Sequence, residues 1–172
     1  MRVLKTAAAL MGVALLALAA PAAAQSWGPA ASGPAFVISA GPDFGAGSSR
    51  AWRESFATFE YRSDRAIWRG VRPLYSFSVA RHGAVLGTVG VHGVFQLGRV
   101  EVTPHFGVGL YQDGRGSFDR RELLQFRSGI DAFLPVTDRV SVGIGYYHVS
   151  NARITNRSAD LDVIRLSILW RN

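Results

Sequence analysis

Residues 146–162 read Tyr-Tyr-His-Val-Ser-Asn-Ala-Arg-Ile-Thr-Asn-Arg-Ser-Ala-Asp-Leu-Asp. Three of them, His148, Ser150 and Asp162, are the residue types that acyl transfer requires: a hydroxyl nucleophile, an imidazole base and a carboxylate that orients the base. Side chains alternate along a strand, so His148 and Ser150, two apart, point to one face. Asp162 lies beyond a short loop at the start of the next apolar run. A hairpin returns it beside the pair. The order of the three along the chain is no obstacle, because such triads are defined by geometry.

The strands that must position these groups carry them on an unusual face. Before the loop the even positions are Val140, Val142, Ile144 and Tyr146, then His148 and Ser150. After it they are Asp162, then Ile164, Leu166, Ile168 and Trp170. The three polar groups therefore continue an apolar stripe. Odd positions hold the smaller and more polar set, including Arg139, Ser141, Gly143, Gly145, Arg165 and Ser167. In a soluble protein the apolar stripe is a core and the triad is buried. In a membrane barrel it is the outside, and the triad faces lipid.

The rest of the chain favours the barrel. Residues 1–24 have the form of a secretory signal: Arg2 and Lys5, an apolar run from Ala7 to Ala20, and Ala22-Ala23-Ala24 before Gln25. Residues 25–34 are rich in Gly, Pro, Ala and Ser and read as a loose lead-in, leaving 35–172 as a single domain. The formal charge of +7 falls to +5 without Arg2 and Lys5, and Lys5 is the sole lysine. An exported chain with no recognition motif makes nucleic acid a poor partner. Arginine forks suit the phosphates of a lipid surface, although codon bias and solvated loops also account for the composition. There is no cysteine, which excludes disulfides, thiol catalysis and thiolate metal sites.

Beyond residue 34 no long helical pattern appears. Short alternating runs separated by turn signals predict an all-β fold of eight strands. They run 35–41, 55–62, 74–80, 85–96, 100–111, 124–134, 140–150 and 162–170. The fifth strand carries Val100, Val102, Phe106, Val108 and Leu110 on one face and Glu101, Thr103 and His105 on the other. Gln125, Arg127, Asp131 and Arg165 share the polar side, which suits a polar lumen. Trp52, Trp68, Tyr75, Tyr111, Tyr146 and Trp170 fall near strand ends, as interface girdles do. The pattern predicts an eight-stranded antiparallel outer-membrane β-barrel. The competing all-β reading is a soluble sandwich or lipocalin-like barrel with its apolar face inward. In the outer membrane both termini of an even-stranded barrel are periplasmic. That places the triad at the opposite end, in the outer leaflet with lipopolysaccharide.

The His-Val-Ser-Asn at 148–151, after a glycine-rich strand and before one that opens on a carboxylate, resembles the lipid A 3-O-deacylases, the PagL-like acyloxyacyl hydrolases. The likeness is sharpest over the last two strands and their loop. It implies an esterase that removes the 3-hydroxyacyl chain from position 3 of lipid A, with a Ser–His–Glu triad and neither metal nor cofactor. By position, His148 is the base, Ser150 the nucleophile, Asp162 the acid and Asn151 the asparagine after the nucleophile. Asp162 stands where the family usually has glutamate, a reach shorter by about 1.5 Å. Ser158 stands where asparagine is common, in the loop expected to help form the oxyanion hole. Arg153 replaces a common glycine and is either a lipid A phosphate contact or a solvated loop residue. Tyr146, with Ile144, Ile164 and Leu166, is expected to form the acyl groove.

Other readings remain on the sequence alone. One is a non-enzymatic or inactive small barrel with a lipopolysaccharide-binding, adhesive or structural role. Another is a phospholipase on the same scaffold. His82, His92 and His105 read as structural; His92 and His105 lie on adjacent strands, but no third metal ligand is evident. Glu101, Arg127 and Asp131 are expected to form an ion-pair network that plugs the lumen.

Overall fold

The computed structural model describes residues 33–44, 55–112, 123–152, 154 and 161–172. The predicted signal segment, Trp52 and the polar loop at 113–122 lie outside them. The strands are β1 (Ala35–Pro42), β2 (Ser55–Arg62), β3 (Arg72–Ala80), β4 (Val85–His92 continued by Phe95–Leu97), β5 (Val100–Gln112), β6 (Leu124–Pro135), β7 (Val140–Ser150) and β8 (Leu161–Arg171). Each sequential pair is antiparallel, β1 pairs with β8, and the circle closes into an eight-stranded barrel.

β4 comes in two pieces for a covalent reason. His92 faces His105 and Phe95 faces Val102, so one register with β5 runs through the break. Gly93 N–H donates to Pro104 C=O at 3.0 Å. Proline has no N–H to return the bond, and the ladder loses a rung there.

The outer wall is apolar. Ile38, Phe59, Phe77, Val89, Phe106, Leu110, Ile144, Leu166 and Ile168 are all exposed, Leu166 to 71%. A continuous band of this kind on a closed sheet, with charges inside, is the inverse of a soluble core and marks the lipid-facing surface. At the end where Ala35 pairs with Arg171, the rings of Phe36, Tyr61, Tyr75 and Trp170 form a linked aromatic patch with centroids 5.4–6.2 Å apart. Trp68 is exposed in the adjoining link. Tyr111 departs from the expected girdle. It shares inward parity with His105 and packs inside the barrel with Phe56, Leu86 and Tyr147.

The lumen is filled in layers. The apolar cluster around Tyr111 and Val149 closes the end bearing the 150–161 connection. Ala35, Val37, Phe133 and Leu169 pack toward the other. Between them lies an ionic layer. Glu60, fully buried, accepts from Arg62 at 2.7 Å, Arg165 at 2.5 Å and Arg127. Asp131 accepts from Arg62 at 2.6 Å and Arg165 at 2.8 Å. Thr103, Ser76 and Ser39 take remaining guanidinium protons. The expected lumen network therefore exists, with a changed membership. Glu101 is not in it. It pairs with Arg171 at 2.5 Å near the strand ends, and Glu60 takes the central place.

This layer sets the position of β7. Asp131, Gly145 and Arg165 stand in one row across β6, β7 and β8. The Arg165 Nε–H donates to Asp131 Oδ1 at 3.0 Å directly over the glycine. A Cβ on Gly145 would lie 1.8 Å from that oxygen, and Asp131 is held by two arginines and cannot retreat. Gly145→Ala should therefore destabilise the barrel by about 1–3 kcal/mol, the usual scale for overpacking, read as a lower urea midpoint. Tyr147, next on the inner face, lies under the Arg127 and Arg165 guanidiniums at 4.3 and 5.3 Å from its ring centre. Because strand faces alternate, inward Gly145 and Tyr147 commit Tyr146 and His148 to the outside.

Candidate active site

The expected trio lies on the outer face. His148 and Asp162 are direct cross-strand partners on β7 and β8. The His148 Nδ1 is 2.9 Å from Asp162 Oδ1. Their side chains are 37% and 25% exposed, open to the surrounding medium yet seated in the wall. Ser150 is the last residue of β7, opposite Phe126, with the same outward parity and partial exposure. Same-face neighbours on a strand stand about 6.6 Å apart at Cα, so Ser150 is the next outward position after His148. With Nδ1 engaged by the carboxylate, the role of base falls to Nε2.

Asp162 is fixed from several directions. Its N–H donates to Asp43 Oδ1 at 2.9 Å, and its C=O accepts from Phe44 N–H at 2.7 Å. Asp43 also bridges to Val163, extending the β1–β8 pairing past Pro42. The Tyr146 hydroxyl donates to Asp162 Oδ1, the same oxygen that faces His148. Tyr146 was expected in the acyl groove; its ring lies on that outer wall, and its hydroxyl reaches the carboxylate. Asp43 was not anticipated. It sits 119 residues from Asp162 in sequence, and only closure of the barrel brings the two together.

Asn151 follows the strand and is buried. Its C=O accepts from Ile154 N–H at 3.0 Å, closing a tight turn in which Ala152 adopts φ 52°. A left-handed backbone at a residue with a Cβ is uncommon, and such strain concentrates at functional sites. Arg153 and Ser158 lie outside the described residues. His92 and His105 face one another across β4 and β5, but His92 Nε2 contacts Ser63 C=O at 3.3 Å and His105 lies 3.4 Å from Asp131. Among the described residues no group of three or more His, Asp or Glu is arranged to hold a metal ion.

In its chemistry, the arrangement offers an imidazole paired with a carboxylate on an apolar wall, on a strand that ends two residues later in a serine. The crystal structure of the outer membrane enzyme PagL aligns with a TM-score of 0.58 at 14% identity, covering 80% of this chain and 99% of that one. A de novo designed transmembrane β-barrel aligns at 0.55 with 9% identity, covering 80% and 95%. The Yersinia pestis outer membrane protein Ail aligns at 0.50 with 12% identity, covering 82% and 100%. At these identities the likeness is one of fold. No curated protein sequence matches. The model of the family described as lipid A 3-O-deacylase (PagL) matches residues 40–171, nearly the whole barrel, and the chain therefore belongs to that family.

Proposed function

We propose that the protein is an outer-membrane esterase that hydrolyses the 3-O-linked hydroxyacyl chain of lipid A, with Ser150 as nucleophile, His148 as base and Asp162 as the orienting acid. The observation that carries this reading is the His148–Asp162 contact on the lipid-facing wall, on the strand that ends in Ser150. Family membership supplies the substrate class.

The steps follow from the residues. As Ser150 Oγ bonds to the acyl carbonyl carbon, its proton passes to His148 Nε2. Asp162 stabilises the imidazolium without taking the proton itself. The tetrahedral intermediate collapses, the bond to the sugar oxygen breaks, and His148 returns the proton to that oxygen. Water, deprotonated by His148, then cleaves the acyl-serine ester and frees a 3-hydroxy fatty acid. Lipid A arrives laterally through the outer leaflet, its acyl chain lying along Ile144, Ile164 and Leu166, which are exposed on the same face. Backbone amides at the Asn151 turn are the nearest candidates for oxyanion donors, each worth about 3 kcal/mol where such donors are preorganised.

Purified barrel in mixed micelles tests the substrate class. Lipopolysaccharide should yield free 3-hydroxy fatty acid, and glycerophospholipid should not turn over. Asp162→Asn should lower the rate by about 10³-fold, because the imidazole loses both its tautomer and its charge partner. Phospholipid turnover at a comparable rate assigns the scaffold to a phospholipase instead.

A further inference from the structure

Asp162 must present one oxygen to His148, yet an aspartate carboxylate rotates easily about its terminal bond. The backbone contacts to Asp43 and Phe44 fix where the residue begins but not how the carboxylate turns. The Tyr146 hydroxyl adds a constraint on that rotation. It donates to Oδ1, the oxygen already at His148 Nδ1, so one carboxylate oxygen takes contacts from both neighbours. Tyr146 reaches it diagonally, since its direct partner on β8 is Ile164. On a wall facing hydrocarbon a phenol has little water to bond, and an ionised carboxylate is costly unless paired. Each group answers the other's need.

We propose that Tyr146 is a positioning residue: its hydroxyl holds the Asp162 carboxylate in the orientation that serves His148, and it acts on the reaction only through Asp162. This rests on the triad assigned above. In this role the hydroxyl serves Asp162 and the ring serves the groove, so removing the hydroxyl should affect turnover and not substrate capture. Phenylalanine keeps the ring against the acyl groove and deletes only the oxygen.

The test compares Tyr146→Phe with wild type in lipopolysaccharide micelles. Rates are normalised to the folded fraction, read from the mobility of unboiled barrel on gels. The expected result is a kcat lower by about tenfold, the size of losing one hydrogen bond to a charged group, with KM within twofold. In an Asp162→Asn background the same change should have no further effect, because the carboxylate it orients is gone. A wild-type kcat, or a raised KM with kcat unchanged, overturns the positioning role and makes Tyr146 part of the groove alone. A tenfold loss that persists in the Asp162→Asn background also overturns it. Should Asp162→Asn and Ser150→Ala themselves retain full activity, the triad assignment fails and takes this inference with it. If those two variants are inactive and Tyr146→Phe is not impaired, only this inference fails.

Discussion

Ser150→Ala should reduce release of 3-hydroxy fatty acid from lipopolysaccharide by about 10⁴-fold or more while leaving the barrel folded. The magnitude follows from the role: without the hydroxyl no acyl-enzyme forms, and the site retains only binding and any oxyanion donors. Folding should be spared because Ser150 ends β7 on the outer wall, away from the ionic layer and both apolar plugs. His148→Ala should reach a comparable floor, and the double variant should lose little more, since the two act as one unit. Additive losses in the double variant would mean that they do not share a step.

The second large effect is on stability. Glu60→Gln should cost about 3–5 kcal/mol, or prevent the barrel from assembling. Glu60 is fully buried and accepts from three arginines, with Asp131 the only other carboxylate in the layer among the described residues. Neutralising it leaves Arg62, Arg127 and Arg165 against one negative charge in a space closed at both ends by apolar side chains. Replacing one member of a buried ion network is costly because the partners stay charged and unmatched. Glu101→Gln is the control. Glu101 and Arg171 are 10% and 14% exposed, so water covers part of the loss, and the cost should be clearly smaller. Urea midpoints of the two variants in detergent would order them. Equal midpoints would mean that the central layer fills space without holding the strands together.

These expectations differ in how far the sequence foretold them. Strand parity was legible almost everywhere, because an outward apolar residue beside an inward polar one is a local signal. His148, Ser150 and Asp162 could be placed on the outer face from Val140–Tyr146 and Ile164–Trp170 alone. Tyr111 could have been read the same way. Nearness to a strand end suggested a girdle, while its parity with His105 bound it inward. What local pattern does not carry is height along the barrel axis, which depends on strand stagger and closure. Glu101 read as an inward carboxylate of the network, and Glu60 was not singled out. Only the closed register places Glu60 level with Arg127 and Arg165, and Glu101 at the rim with Arg171. Asp43 is the extreme case, since β1 meets β8 only when the two ends of the sheet join. The shorter acid at position 162 is met by the β7–β8 register: it lies directly opposite His148, and its Oδ1 stands 2.9 Å from Nδ1 without the extra methylene.

Mass spectrometry of lipid A from bacteria expressing the chain tests the central claim most directly. Wild-type protein should convert lipid A to a species lighter by one 3-hydroxyacyl group, and Ser150→Ala protein, present at equal level in the outer membrane, should leave it unchanged. Lipid A left intact by the wild-type chain, or shortened equally by Ser150→Ala, would contradict it.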